Sequence, residues 1–93
     1  MSETQGAPGA FLSGEARRLT LELLGRAAAH YGIAAPAVEI RFDLRGQAAG
    51  QVQFGARTRR PLVRYNPLLL AENGARFLAR TVPHEVAHLI AYR

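Results

Sequence analysis

Cysteine, lysine and tryptophan are all missing from this 93-residue chain. Without cysteine there is no disulfide, no thiolate nucleophile and no sulfur-ligated metal centre, so histidine and carboxylate are the remaining candidate metal ligands. Without lysine, all 12 basic residues are arginine, a bias that GC-rich, alanine-heavy coding explains better than a demand for guanidinium chemistry. No apolar run approaches the roughly 20 residues needed to cross a bilayer. The opening MSETQGAPGAFL also lacks the basic and apolar regions of a signal peptide. These absences point to a soluble cytoplasmic protein with no membrane association. What is present, 48% hydrophobic and 20% charged residues, is globular, and the length suits one domain with one modest core. The net charge of +5 permits attraction to polyanions without demanding it.

Residues 1–11 hold Gly6, Pro8 and Gly9 among small polar residues, too little apolar surface to offset the entropy of ordering. They read as a disordered leader to a domain spanning 12–93. From Leu12 the apolar residues Leu12, Ala16, Leu19, Leu23 and Ala27 recur at three and four, with Ser13 available as a cap and Gly32 as a terminator. That spacing predicts an amphipathic helix of about five turns. VEIRFD then alternates Val38, Ile40 and Phe42 with Glu39, Arg41 and Asp43, the period of a strand with one buried face for the helix to cover. QVQF (51–54) and LVRY (62–65), joined by an arginine-rich stretch containing glycine, predict a hairpin. Asn66 before Pro67 predicts the cap and first residue of a short helix over LLLAE, which Asn73-Gly74 should end. Residues 75–93 read as the last helix. Pro83 removes a backbone donor there, so the helix should either kink at that point or truly begin there, with Thr81 or Val82 as its cap.

That last segment carries the chemistry. His84 and His88 are four apart, which on an α-helix stacks two imidazoles on one face about 6 Å apart, the separation needed to share one zinc ion. Glu85 is rotated by about 100°, placing its carboxylate within reach of a zinc-bound water while leaving the metal to the imidazoles. Val82, Val86 and Ile90 point the other way and can be buried. A chain of this composition contains H[ED]xxH by accident in roughly 0.7% of cases, so two idle surface histidines explain HEVAH poorly. Zinc in such a site polarises a peptide carbonyl and lowers the pKa of bound water toward about 7, with Glu85 as general base. A catalytic site of this kind needs three protein ligands. His30 falls near the end of the first helix, where it serves the helix dipole better than a metal, and Glu72 and Asp43 read as solvated carboxylates. Gly46, Gly50 and Gly55 do not open a helix and lack a lysine, so turns and a close backbone approach explain them better than a phosphate loop.

Around this motif the chain resembles the SprT-like family of zinc metallopeptidases, its bacterial SprT branch especially, and is related through it to the Spartan proteases. The resemblance rests on Arg45, Gly46, Ala49 and Gly50 as RG...AG, on YNPLLL (65–70) and on TVPHEVAHLI (81–90). It implies an α+β, zincin-like fold: an N-terminal helix, a small three-stranded sheet, then the zinc-binding helix. It implies His84 and His88 as Zn2+ ligands, Glu85 as the catalytic glutamate, and a protein or peptide substrate whose extended chain pairs with LVRY at the border of the cleft. The family's third ligand is a further histidine a few turns downstream, beyond Arg93. The expectation is therefore a truncated domain that binds zinc weakly and is inactive alone.

Two other features lead elsewhere. Arg57, Arg59, Arg60 and Arg64 cluster around the hairpin and could grip phosphates, although charged loops are usually just solvated. The competing reading is a DNA-associated module without turnover, and DNA association is also what the Spartan relatives imply. Leu89, Ile90 and Tyr92 are expected on the surface of the last helix, as a dimer contact through which a second chain could complete the zinc site.

Overall fold

The computed structural model describes residues 7–55 and 60–91. Helix α1 runs from Ala7 to His30, starting five residues before the predicted Leu12 because Pro8 belongs in a first turn, where its missing N–H costs nothing. The inner line of α1 is Ala16, Thr20, Leu24 and Ala28, all at most 2% exposed. The expected Leu19, Leu23 and Ala27 flank this line, partly buried. The stripe is rotated because Thr20, a polar residue, lies at its centre: its Oγ1 donates to Ala16 O at 2.6 Å and meets Tyr65 Oη at 2.8 Å. The helix ends as predicted at Gly32, whose φ of 67° closes a six-to-one bond from Ile33 N to Ala28 O (2.9 Å) and a five-to-two bond from Gly32 N to Ala29 O (3.1 Å).

Three short strands follow: β1 (Glu39–Arg41), β2 (Gly50–Gln53) and β3 (Leu62–Tyr65). β2 and β3 form the predicted antiparallel hairpin, with Gly50 opposite Tyr65 and Val52 opposite Val63. β1 joins β3 in parallel, Ile40 opposite Val63, so the order is β1-β3-β2. LVRY is therefore the central strand, and both of its edges are taken. This corrects its expected place at the border of the cleft: β2 is the edge strand on that side.

Short helix α2 (Pro67–Glu72) is capped by Asn66 with Pro67 in its first turn, as predicted. Asn73 ends it, and α3 (Gly74–Arg76) leads without a sharp break into a π-helical turn, Phe77–Thr81, and then α4 (Val82–Ala91). The π turn is the physical answer to Pro83. Val82 N reaches back to Phe77 O, five residues away, and this wider turn absorbs a residue that has no N–H to offer. The backbone stays helical through Val82, where α4 begins without a side-chain cap.

α1 and α4 pack together over the inner face of the sheet, where Leu24, Ile40, Val63, Tyr65, Phe77, Val82, Val86, Leu89 and Ile90 form one core. Val82, Val86 and Ile90 are buried as the pattern predicts. Leu89 (0% exposed) and Ile90 (8%) are not the surface residues expected of them. Both belong to the core that α4 shares with α1 and the sheet. Tyr92 lies outside the described residues. The architecture is α+β: an N-terminal helix, a three-stranded mixed sheet and a C-terminal helix. No helix of the described residues is long and apolar enough to cross a membrane.

Candidate metal centre and its clefts

α4 presents His84 exposed, His88 half-buried and Glu85 buried at 5% exposure. The two Nε2 atoms lie 3.1 Å apart and the rings stand nearly perpendicular at 86°, centroids 4.6 Å apart. Two nitrogens bound at about 2.0–2.1 Å with a 3.1 Å chord between them subtend roughly 100° at the ion, close to a tetrahedral angle. The donor set and its spacing thus fit one zinc-like ion held by both imidazoles. Among the described residues no group of three or more histidine, cysteine, aspartate and glutamate side chains could hold a metal, so this part of the chain offers two candidate ligands.

Burial raises the Glu85 carboxyl above its ordinary pKa, and the neighbouring His84 and His88 partly oppose that shift. Its place is fixed by β2. A Cβ on Gly50 would lie 2.8 Å from Glu85 Oε2 and 2.9 Å from its Cγ, so only glycine lets the strand backbone lie flat on this side chain. The close approach expected of the chain's glycines is realised here, and its target is the candidate general base. The start of β2 is itself clamped by Asn66. Asn66 N donates to Ala49 O at 2.8 Å, and its Nδ2 donates to Gly46 O (2.9 Å) and Ala48 O (3.1 Å), while Oδ1 accepts from Leu68 N and Leu69 N. Sequence reasoning identified Asn66 as a cap and missed the clamp. The signal was present, because RG...AG and YN are the two halves of this contact.

Two clefts open on either side of His84 and Glu85. One, of about 420 Å³, is lined by Gly50, Gln51, Val52, Phe54 and His88 as well. The other, of about 400 Å³, adds Ala48, Ala49, Arg80 and Thr81. A larger apolar groove of about 640 Å³ lies between α1 and α4, lined by Leu23, Tyr31, Pro83 and Ile90 among others. It contains none of the three HExxH side chains.

The remaining candidates stay apart from this centre. His30 sits in the last turn of α1, edge-on to Tyr31 at 4.9 Å. Glu72 is exposed at the end of α2. Asp43 is bound by Arg64, with Nε donating to Oδ1 at 2.8 Å, and this guanidinium holds the carboxyl below its usual range. Of the arginine cluster, Arg64 is thereby engaged, Arg60 is exposed, and Arg57 and Arg59 lie outside the described residues.

Fold and site together define a small α+β domain that sets an HExxH helix against the edge strand of a mixed sheet. A SprT-like family model matches residues 20–93, and the chain belongs to that family. It is 52% identical over 54 residues to Protein SprT of Pseudomonas savastanoi, covering 58% of this chain and 30% of that protein. Protein SprT of Vibrio parahaemolyticus matches at 37% over 82 residues, 88% of this chain and 47% of the relative. Protein SprT of Shewanella oneidensis matches at 40% over 68 residues, 73% and 41%. The chain spans less than half the length of these curated relatives. No solved structure matches it.

Proposed function

We propose that this chain supplies two zinc ligands and the general base of a peptide-hydrolysing site. The observation that carries this reading is the pair of Nε2 atoms 3.1 Å apart, with the buried Glu85 opening on the same clefts. Bound zinc would supply Lewis acidity toward the substrate carbonyl and toward water. His84 and His88 hold it. Glu85 accepts a proton from the attacking water and returns it to the departing amine, a double duty that suits a carboxyl whose proton affinity burial has raised. The third ligand expected of a catalytic zinc lies on this reading beyond residue 93, in the greater length the relatives have.

The edge position of β2 supports a way of seating the substrate. An extended peptide laid along Gly50–Gln53 would add a strand to the sheet, its backbone bonds giving affinity and register beside Glu85.

The test is zinc titration of this chain beside a version extended at its C-terminus to the length of the relatives, together with Glu85→Gln in the extended protein. The expected result is at least about tenfold tighter zinc in the extended form. Glu85→Gln should keep the zinc and lose hydrolysis. Equal zinc affinity of the two lengths would remove the downstream ligand, and hydrolysis surviving Glu85→Gln would remove the general base.

A further inference from the structure

The two clefts flanking Glu85 differ in chemistry. The one along β2 is lined by neutral side chains, Gln51, Val52 and Phe54, and Phe54 is 45% exposed. The other is walled by the small residues Ala48, Ala49 and Gly50 and carries one cation of its own, Arg80. Arg18, Arg26, Arg41 and Arg64 are all ion-paired with Glu15, Glu22, Glu39 or Asp43. Among the described residues Arg80, like Arg17, Arg45, Arg60 and Arg76, is exposed and has no acidic partner, and of these five it is the one that lines this cleft. Small walls leave room for an incoming side chain, and an unpaired guanidinium presents a planar fork that matches a carboxylate.

We propose that Arg80 is a specificity-determining residue that makes this cleft a subsite for an acidic side chain on one side of the bond to be cut. It deepens the peptidase reading and depends on it. A substrate passing over Glu85 must enter both clefts, so the carboxylate goes to Arg80 and a neutral or apolar side chain goes to the Phe54 side.

Fluorescence anisotropy on the 93-residue chain tests this with labelled, end-capped peptides identical except for one glutamate or glutamine, at low salt and without added metal. The glutamate peptide should bind about fivefold tighter, the upper range for one accessible charge pair. Arg80→Ala should abolish the difference and Arg80→Glu reverse it. Arg76→Ala removes the same charge from an exposed site outside both clefts and should keep the preference. A glutamine peptide with a free C-terminal carboxylate should gain nothing; if it gains the affinity instead, the subsite reads chain ends and the proposal fails. Equal binding of the capped peptides, a preference that survives Arg80→Ala, or an equal loss in Arg76→Ala overturns Arg80 and leaves the peptidase reading standing. Binding of no peptide at all likewise overturns the Arg80 subsite and leaves the peptidase reading to the zinc titration and Glu85→Gln.

Discussion

Asn66 and Glu85 are both polar residues buried at 5% exposure or less, each near the start of a helix and each within one of the segments on which the family resemblance rests. They are buried for opposite reasons. Asn66 commits its side-chain amide to four hydrogen bonds, two to helix α2 and two to the loop before β2. Glu85 lies under the glycine backbone of β2 and opens its carboxylate on two clefts. A buried polar group satisfied by backbone holds a fold together, whereas one that faces open space stays available to a ligand. YNPLLL is thus the scaffold half of the family resemblance, and HEVAH the half that stays open to a ligand.

The sharpest way to break that contrast is Asn66→Ala. It removes a helix cap and leaves the carbonyls of Gly46 and Ala48 without their donor, a loss of about 3 kcal/mol. Urea denaturation should show the unfolding free energy falling by that amount, read as a lower midpoint at unchanged slope. Glu85→Gln keeps the shape and removes a desolvated charge, so its midpoint should hold or rise. Equal losses in the two variants would mean that both residues are structural.

Tyr65 stands between the two. Its hydroxyl is satisfied by Thr20, yet burial, with a smaller contribution from the charge of Glu85, pushes its pKa from 10.0 up to about 12. A raised folded-state value means that the stabilisation is complete below pH 10 and is lost as pH rises through the folded pKa near 12. The loss over that window should approach about 2–3 kcal/mol. Tyr65→Phe should flatten it while costing about 1 kcal/mol at neutral pH, since Thr20 keeps its bond to Ala16 O. Denaturation curves at pH 9, 11 and 12 would check both.

Gly50→Ala should cost about 2 kcal/mol through the overlap of its methyl with Glu85. The same change in a Glu85→Ala background should cost little, because the atoms it meets are gone. A double-mutant cycle with no coupling would show that Gly50 serves the strand alone.

Local signals made much of this legible in the sequence. The helix of α1, the three strands, the Asn66-Pro67 cap and the Gly32 terminator each depend on residues within a turn of one another. The cap and terminator are found where expected, whereas α1 starts earlier with its stripe rotated, β1 keeps only Glu39–Arg41 of VEIRFD, and β2 is shifted to Gly50–Gln53, leaving Phe54 outside it. The HExxH pair was legible for the same reason, since four residues on a helix fix both rings. Long-range facts were not. Nothing in LVRY says that β1 will pair with it in parallel and make it central, and nothing in Leu89 or Ile90 says that the core will take them in. The π turn was half legible: Pro83 announced a missing bond, and the wider turn is one of several ways to absorb it. Arg64 read as part of a phosphate grip because its partner, Asp43, lies 21 residues away.

That pair gives the smallest effect and tests the surface against the buried cases. Asp43 is held ionised by Arg64, its pKa lowered, so whatever stability it confers is present above the ordinary carboxylate range and is lost as pH falls through the lowered value. Both groups are reachable by water, which screens the attraction. Asp43→Asn should therefore lower the denaturation midpoint only slightly at pH 7, and the two curves should meet in acid. Added salt should close the same gap at neutral pH, because screening weakens an exposed pair and leaves the hydrogen bonds of Asn66 alone. A gap as large as that of Asn66→Ala, or one indifferent to salt, would place Arg64 and Asp43 with the scaffold. The outer face of the sheet would then be a second structural anchor and no longer a solvated surface.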